Sequence, residues 1–122
     1  MTIEQATTEY LTAEIPHSVY FLMAPTDDPL PRLVLTVISP SRQYDTDVRR
    51  ARLQVSVWHS NRYEAIVLRE LVYDALQRFK GYMRDVRVIS VSFDTAQMFY
   101  DDDKRAFHMP VDFMINYIGD DQ

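Results

Sequence analysis

R-R-A-R-L-Q-V-S-V-W-H-S-N-R-Y-E-A, Arg49 to Ala65, changes its hydrophobic period partway along. Up to Trp58, the apolar Ala51, Leu53, Val55 and Val57 alternate with Arg50, Arg52, Gln54 and Ser56, which is the period of a strand with one buried face. From Arg62 to Lys80 the period becomes helical. Ala65, Leu68, Leu71, Val72, Ala75, Leu76 and Phe79 form one stripe, and Gly81 follows where helices commonly end. Asn61 is a favoured N-cap and Glu64 lies three residues on, so the pair predicts a variant capping box worth ~1 kcal/mol. A half-buried strand feeding an amphipathic helix calls for a sheet with that helix laid on it.

Working outward, Thr2, Glu4 and Gln5 followed by Ala6, Tyr10, Leu11 and Ile15 predict a first helix that stops before Pro16. Val19–Met23 reads as a strand closed by Pro25, and Arg32–Ile38 as another that ends at Pro40, with S-R-Q-Y-D-T-D as a polar loop. Val86–Phe93 is a further strand. Phe107, Met109, Val111, Phe113, Ile115 and Tyr117 alternate strictly in the last, and Q-M-F-Y-D-D-D-K-R makes the turn between these two. The expected order is α-β-β-β-α-β-β. It describes one α+β domain over 1–122: a mostly antiparallel sheet of about five strands, one long helix packed on it, and a short N-terminal helix.

Composition narrows the function classes. A chain of 122 residues with 47% hydrophobic content can bury an ordinary core. Cysteine is absent, which removes disulfides and thiolate-bound zinc and fits a reducing compartment. No apolar run is long enough to span a bilayer, and Glu4, Glu9 and Glu14 stand where a signal peptide would be basic, so the chain is expected to be soluble and untargeted. The formal charge of −5 gives little general attraction to nucleic acid, although Arg49, Arg50 and Arg52 cluster locally. Two glycines leave almost no scope for a phosphate cradle.

The chemistry-bearing candidates read as structure. Ser60 and His59 would be the nucleophile and base of a small hydrolase, but neighbours on a strand point to opposite faces and the G-x-S-x-G elbow is missing. His17, His59 and His108 share no ligand spacing, and Asp101, Asp102 and Asp103 lack the alternation of a calcium loop, so no catalytic, cofactor or metal residue is assigned. Arg50 and Arg52 share a strand face with Trp58. They could stack on nucleic acid, but Arg and Trp also typify protein interfaces, and the interface reading is preferred. Tyr63, Ile66, Val67 and Tyr73 lie off the helical stripe, and Met114 and Ile118 lie on the polar side of the last strand. Apolar surface of that kind argues for subunit contacts.

The order of helix, P-x-x-x-P-x-P-R-L-V-L (Pro25 to Leu35), V-S-V-W-H-S, E-A-I-V-L-R-E-L-V-Y-D-A-L and D-D-D-K-R-A-F-H-M-P-V-D-F resembles the tail terminator (tail completion, head-to-tail joining) proteins of long-tailed bacteriophages over nearly the whole chain. The resemblance implies a non-enzymatic virion protein at the tail–head junction, assembled in the host cytoplasm without cofactor or membrane. It implies a homo-oligomer, a hexameric ring that caps the tail tube, ends its polymerisation and meets the head-completion or connector protein, with DNA crossing the lumen unbound. The implied contact elements are the hairpin Asp101–Phe107 and the loops Pro25–Pro31 and Ser41–Asp47. With the residue-level reading, the expected interface residues are Arg50, Arg52, Trp58, Arg62, Tyr63, Ile66, Tyr73, Asp101, Asp102, Asp103 and Lys104. Another neck, baseplate or contractile-injection subunit is the structural alternative.

Overall fold

The computed structural model describes residues 2–16, 18–21, 30–42 and 47–118. Most of the loop expected at Pro25–Pro31, the middle of the loop Ser41–Asp47, His17 and the end of the strand expected over Val19–Met23 lie outside the described residues.

Helix α1 spans Ile3–Glu14 and opens with a full capping box. The Gln5 N–H donates to Thr2 Oγ1 at 3.1 Å, and the Thr2 N–H donates to Gln5 Oε1 at 3.0 Å. Ile3, Ala6, Thr7 and Leu11 are its buried line, and the helix stops as Ile15 turns extended ahead of Pro16. Helix α2, Arg62–Leu76, buries Ala65, Leu68, Val72 and Leu76, positions three and four apart along one face. The sequence predicts that it runs to Lys80, but it ends one turn earlier. Gln77 is extended and Arg78 takes a φ of 63°, so the Arg78 N–H donates to the Val91 carbonyl at 3.1 Å and the Phe93 N–H to Gln77 Oε1 at 2.8 Å. A neighbouring strand thus supplies the backbone partners that another helical turn would have supplied. Gly81, with φ 126°, opens a strand instead of capping the helix.

Among the described residues the strands are β1 Ser18–Phe21, β2 Arg32–Arg42, β3 Arg49–His59, β4 Gly81–Met83, β5 Val86–Ala96, β6 Phe99–Asp101 and β7 Ala106–Ile118. They form a seven-stranded sheet in the order β1-β2-β3-β7-β5-β4, with β6 also paired to β7. The expected count of about five strands is therefore too low. β4 and β6 are three residues each, too short to show a period. β1 also runs parallel to β2, where hairpin connections were expected. β2 passes Pro40, and its register against β3 shifts between Ile38 and Ser41, an irregularity that tolerates a residue without an N–H. Register shifts in β5 at Val88/Ser90 and Phe93/Thr95 explain why its buried residues, Val86, Val88 and Val91, do not keep one alternation.

Both helices cover one face of the sheet. Leu33, Leu35, Leu53, Val55, Val57, Met109, Val111, Phe113, Ile115 and Tyr117 point into that layer. α2 lies on β3, β7 and β5, whereas α1 touches β1 and β2 at one edge and β4 at the other, so the sheet curls around the N-terminal helix. "One long helix" is thus an incomplete description, since α1 closes the core as α2 does. The opposite face carries Arg50, Arg52, Gln54, Asp112 and Asn116 with Trp58, Met114 and Ile118 among them, and no helix of the described residues covers it.

Candidate docking surfaces

The β6–β7 hairpin is an arm at one end of the longest ladder. After Ala96 the chain steps through Gln97, whose N–H donates to the Pro110 carbonyl at 3.1 Å, and resumes pairing as Phe99↔His108, Tyr100↔Phe107 and Asp101↔Ala106. The turn is therefore shorter than expected, with only residues 102–105 outside the ladder. Asp101 Oδ1 accepts from the Lys104 N–H at 3.1 Å, and Arg105 takes the left-handed φ of 50° that returns the chain. Both side-chain faces of the arm are aromatic. On one, Tyr100 and Phe107 meet edge to face at 5.0 Å; on the other stand Phe99 and His108.

His108 is the direct cross-strand partner of Trp58, and the two rings stack at 4.0 Å with 7° between their planes. Lys104 Nζ lies 4.6 Å from the centre of the Trp58 ring and the Arg32 guanidinium lies at 5.7 Å. Burial pushes the His108 pKa down, Lys104 pushes it further, and Asp101 opposes them. Trp58 and Lys104, expected as contact residues, therefore first hold the arm to the sheet.

Mid-sheet, on the face away from the helices, Arg52 Nη1 donates to Asp94 Oδ2 at 2.5 Å and to Asp112 Oδ2 at 3.1 Å, while Gln54 Nε2 donates to Asp112 Oδ1 at 2.9 Å. These hydrogen bonds, the one to Asp94 foremost, push the Arg52 pKa higher still. Arg50 is exposed on the same face. The Arg52 charge is thus used within the chain.

On the outer side of α2, Tyr63 is 81% exposed, Val67 49% and Leu71 40%, a ridge with one side chain per turn. Arg62 is exposed beside it. Ile66 and Tyr73, named with Tyr63 from the sequence, are instead half-buried against the core, and Tyr73 meets Phe93 edge to face at 5.5 Å. Leu71, assigned to the buried stripe, joins the exposed ridge. Arg69, Glu70, Tyr73, Phe93, Ala96 and Val111 line a cleft of about 210 Å³ between α2 and β5. The exposed Tyr82, Phe93, Phe99 and Tyr100 also escaped the sequence reading, because each sits on a short strand or beyond a register shift, where alternation does not say which way a side chain points.

At the start of α2, Asn61 Oδ1 accepts from the Glu64 N–H at 3.0 Å, so the cap is present. The reciprocal half of the box is not, because the Asn61 N–H donates to His59 Nδ1 at 3.0 Å. That bond uses the histidine nitrogen as a structural acceptor, and Ser60 stands exposed beside it without a hydrogen bond to His59 among the described residues. Among the described residues no three His, Asp or Glu side chains converge as a metal site would require, and no helix is long and apolar enough to cross a membrane.

The site so defined is a set of exposed apolar and charged patches carried by a sheet with long antiparallel pairings. The family model of the tail completion protein gp17 matches residues 5–118. Among solved structures, a chain of the virion of the native gene transfer agent (GTA) particle superposes with a TM-score of 0.73 at 15% identity, covering 97% of this chain and 96% of that one, a likeness of fold. No curated protein sequence matches the chain. The chain belongs to the tail completion protein gp17 family, structural proteins of the phage tail, and its place is in the virion tail.

Proposed function

We propose that copies of this chain close into a hexameric ring that caps the tail tube, ends its polymerisation and joins the tail to the head connector. The observation that carries this reading is the separation of the exposed apolar groups. The ridge Tyr63, Val67 and Leu71 lies on the helix side of the molecule, while Phe99 and Tyr100 lie on the hairpin arm. Unlike patches in different places support heterologous contacts, and such contacts close into a ring when their rotation closes. A closed ring has two different faces. One can match the tube end while the other does not extend it, and termination follows from that difference. The net charge of −5 suits a lumen that DNA crosses without adhering. Nothing in this role calls for a reaction centre.

Native mass measurement should give a hexamer alone or on mixing with tube protein; a strict monomer in both settings refutes the ring. Tyr63→Glu combined with Val67→Glu should weaken capture on tubes or ring formation while leaving the far-ultraviolet circular dichroism unchanged. Ile66 and Tyr73 are poor choices for that test, because a charge there would enter the half-buried layer around Phe93 and damage the fold. Full assembly by the Tyr63/Val67 variant would remove the ridge from the interface.

A further inference from the structure

Among the described residues the two ends of the β7 ladder differ in charge. At the N-terminal end, the β6–β7 turn carries Asp101, Asp102 and Asp103. Lys104 is drawn back over Trp58, so Asp102 and Asp103 are left at the tip with Arg105 as the nearby cation. At the C-terminal end, Ile118 pairs with Arg87, and Arg87 with Tyr82 on the edge strand β4. Among the described residues the exposed cations Arg78, Lys80, Arg84 and Arg87 lie on or beside β4 and the start of β5 there, and outnumber Asp85 and Glu9. Among the described residues only Arg84 of these four has an ion-pair partner, Glu9 at 3.2 Å. Tyr82 is 69% exposed in their midst. Such a basic patch is conspicuous on a chain whose formal charge is −5. Thirteen residues of β7 separate the two ends, roughly 40 Å of strand.

We infer that the basic, aromatic end built from Arg78, Lys80, Tyr82 and Arg87 seats the acidic β6–β7 turn of a second copy of this chain. The inference rests on the ring reading and names its neighbour contact. Each partner supplies what the other lacks. Asp102 and Asp103 meet unpaired cations, and Phe99 or Tyr100 can lie on Tyr82, so the contact combines charge with aromatic area. Because the two patches lie at opposite ends of one molecule, the contact is head to tail, and its repetition generates a closed ring or an open filament rather than a twofold dimer. A lone row of edge cations could serve merely to repel stray strands. Here the complementary tip on the same chain gives the cations a partner.

The test uses the full chain with three variants. Asp102→Lys with Asp103→Lys, and separately Lys80→Glu with Arg87→Glu, should each raise the concentration for half-assembly about tenfold or more, because like charges then face each other across the contact. The chain carrying all four reversals should recover assembly toward the wild-type level, which a folding defect would not do. Wild-type assembly should weaken with added salt. If the wild type assembles and neither pair of reversals changes its mass distribution, the tip-to-edge contact is wrong and the ring stands. If the wild type never assembles, alone or with tube protein, the ring reading falls and this contact with it. If the Lys80/Arg87 reversal instead abolishes retention of duplex DNA and leaves assembly intact, the patch is a nucleic-acid surface and the inference is overturned.

Discussion

Replacing Tyr117 by phenylalanine removes one oxygen atom from the centre of the fold, and the expected result is a more stable protein. Tyr117 has no exposed surface, and its hydroxyl has no hydrogen-bond partner among the described residues. A buried hydroxyl left unpaired costs on the order of 1–3 kcal/mol, which Tyr117→Phe would release. Against this stand a few dispersion contacts at ~0.1–0.2 kcal/mol each and a void smaller than a water molecule. The net is a stabilisation of about 1 kcal/mol, the low end of the range being used because the neighbours Arg49 and Glu4 act on the phenol through their charges. With an unfolding entropy of about 2.1 cal/mol/K per residue over 122 residues, that shift raises Tm by ~4 °C. Urea denaturation followed by circular dichroism, at matched protein concentration so that assembly does not differ, measures it. A second signature is alkaline. Burial holds the Tyr117 pKa above 10.0, so the folded state disfavours the phenolate; this contribution is complete below pH 10 and is lost as pH rises through the folded value. Tyr117→Phe should flatten that loss, with Tyr10, also raised by burial, contributing the remainder. Destabilisation by 1 kcal/mol or more would refute the reasoning, because it would mean that the hydroxyl is paired in solution, for example by a buried water.

Two further predictions concern the arm and the helix start. Asn61→Ala removes the acceptor for the Glu64 N–H and should cost ~1 kcal/mol, whereas Asn61→Asp should retain nearly all of it; equal losses in the two variants, read from urea midpoints, would show that the cap is not the cause. The lowered His108 pKa means that folding favours the neutral ring, so its contribution is present above pH 6.5 and is lost as pH falls from there through the folded value. Urea midpoints at pH 7.5 and pH 5.5, about one unit either side of the unfolded pKa, should converge between wild type and His108→Gln at the lower pH; a constant gap would discount the titration.

Legibility followed the length of the repeats. β3, α2 and β7 could be read from the sequence because eleven, fifteen and thirteen residues sample a period several times over. β4 and β6 could not, and the parallel pairing of β1 with β2 is a property of the whole sheet that no local pattern encodes. The interface residues divide in the same way. Tyr63 is opposite the buried line of α2, so periodicity exposes it, but Ile66, Tyr73 and Leu71 sit on the flanks of that line, where the tilt of the helix on the sheet decides burial. Trp58 stacks on a histidine fifty positions away in the chain. Only the β3–β7 register brings that pair together, so neither residue's surroundings could be read from its own segment.

Where the charges sit also bears on how assembly can be specific. Mid-sheet, Arg52, Asp94, Asp112 and Gln54 satisfy one another, so that region offers a partner little unpaired charge and gives the sheet cross-strand ties. Among the described residues, the exposed Asp102 and Asp103 stand at one end of the ladder, Lys80 and Arg87 at the other, and Tyr63, Val67 and Leu71 on the outer ridge of α2. Both ladder ends hang on the same β7, and its neighbours β3 and β5 hold it through long antiparallel pairings. The angle between the two end surfaces is consequently set by the twist of a packed sheet rather than by loop conformations. A ring closes at one subunit number only if that angle is held within narrow limits, so a rigid ladder bearing unlike ends is what a closing assembly requires. In the proposed ring, mutations loosening the β5–β7 register, such as filling the irregularity at Phe93/Thr95, should broaden the distribution of oligomer sizes before they lower thermal stability appreciably.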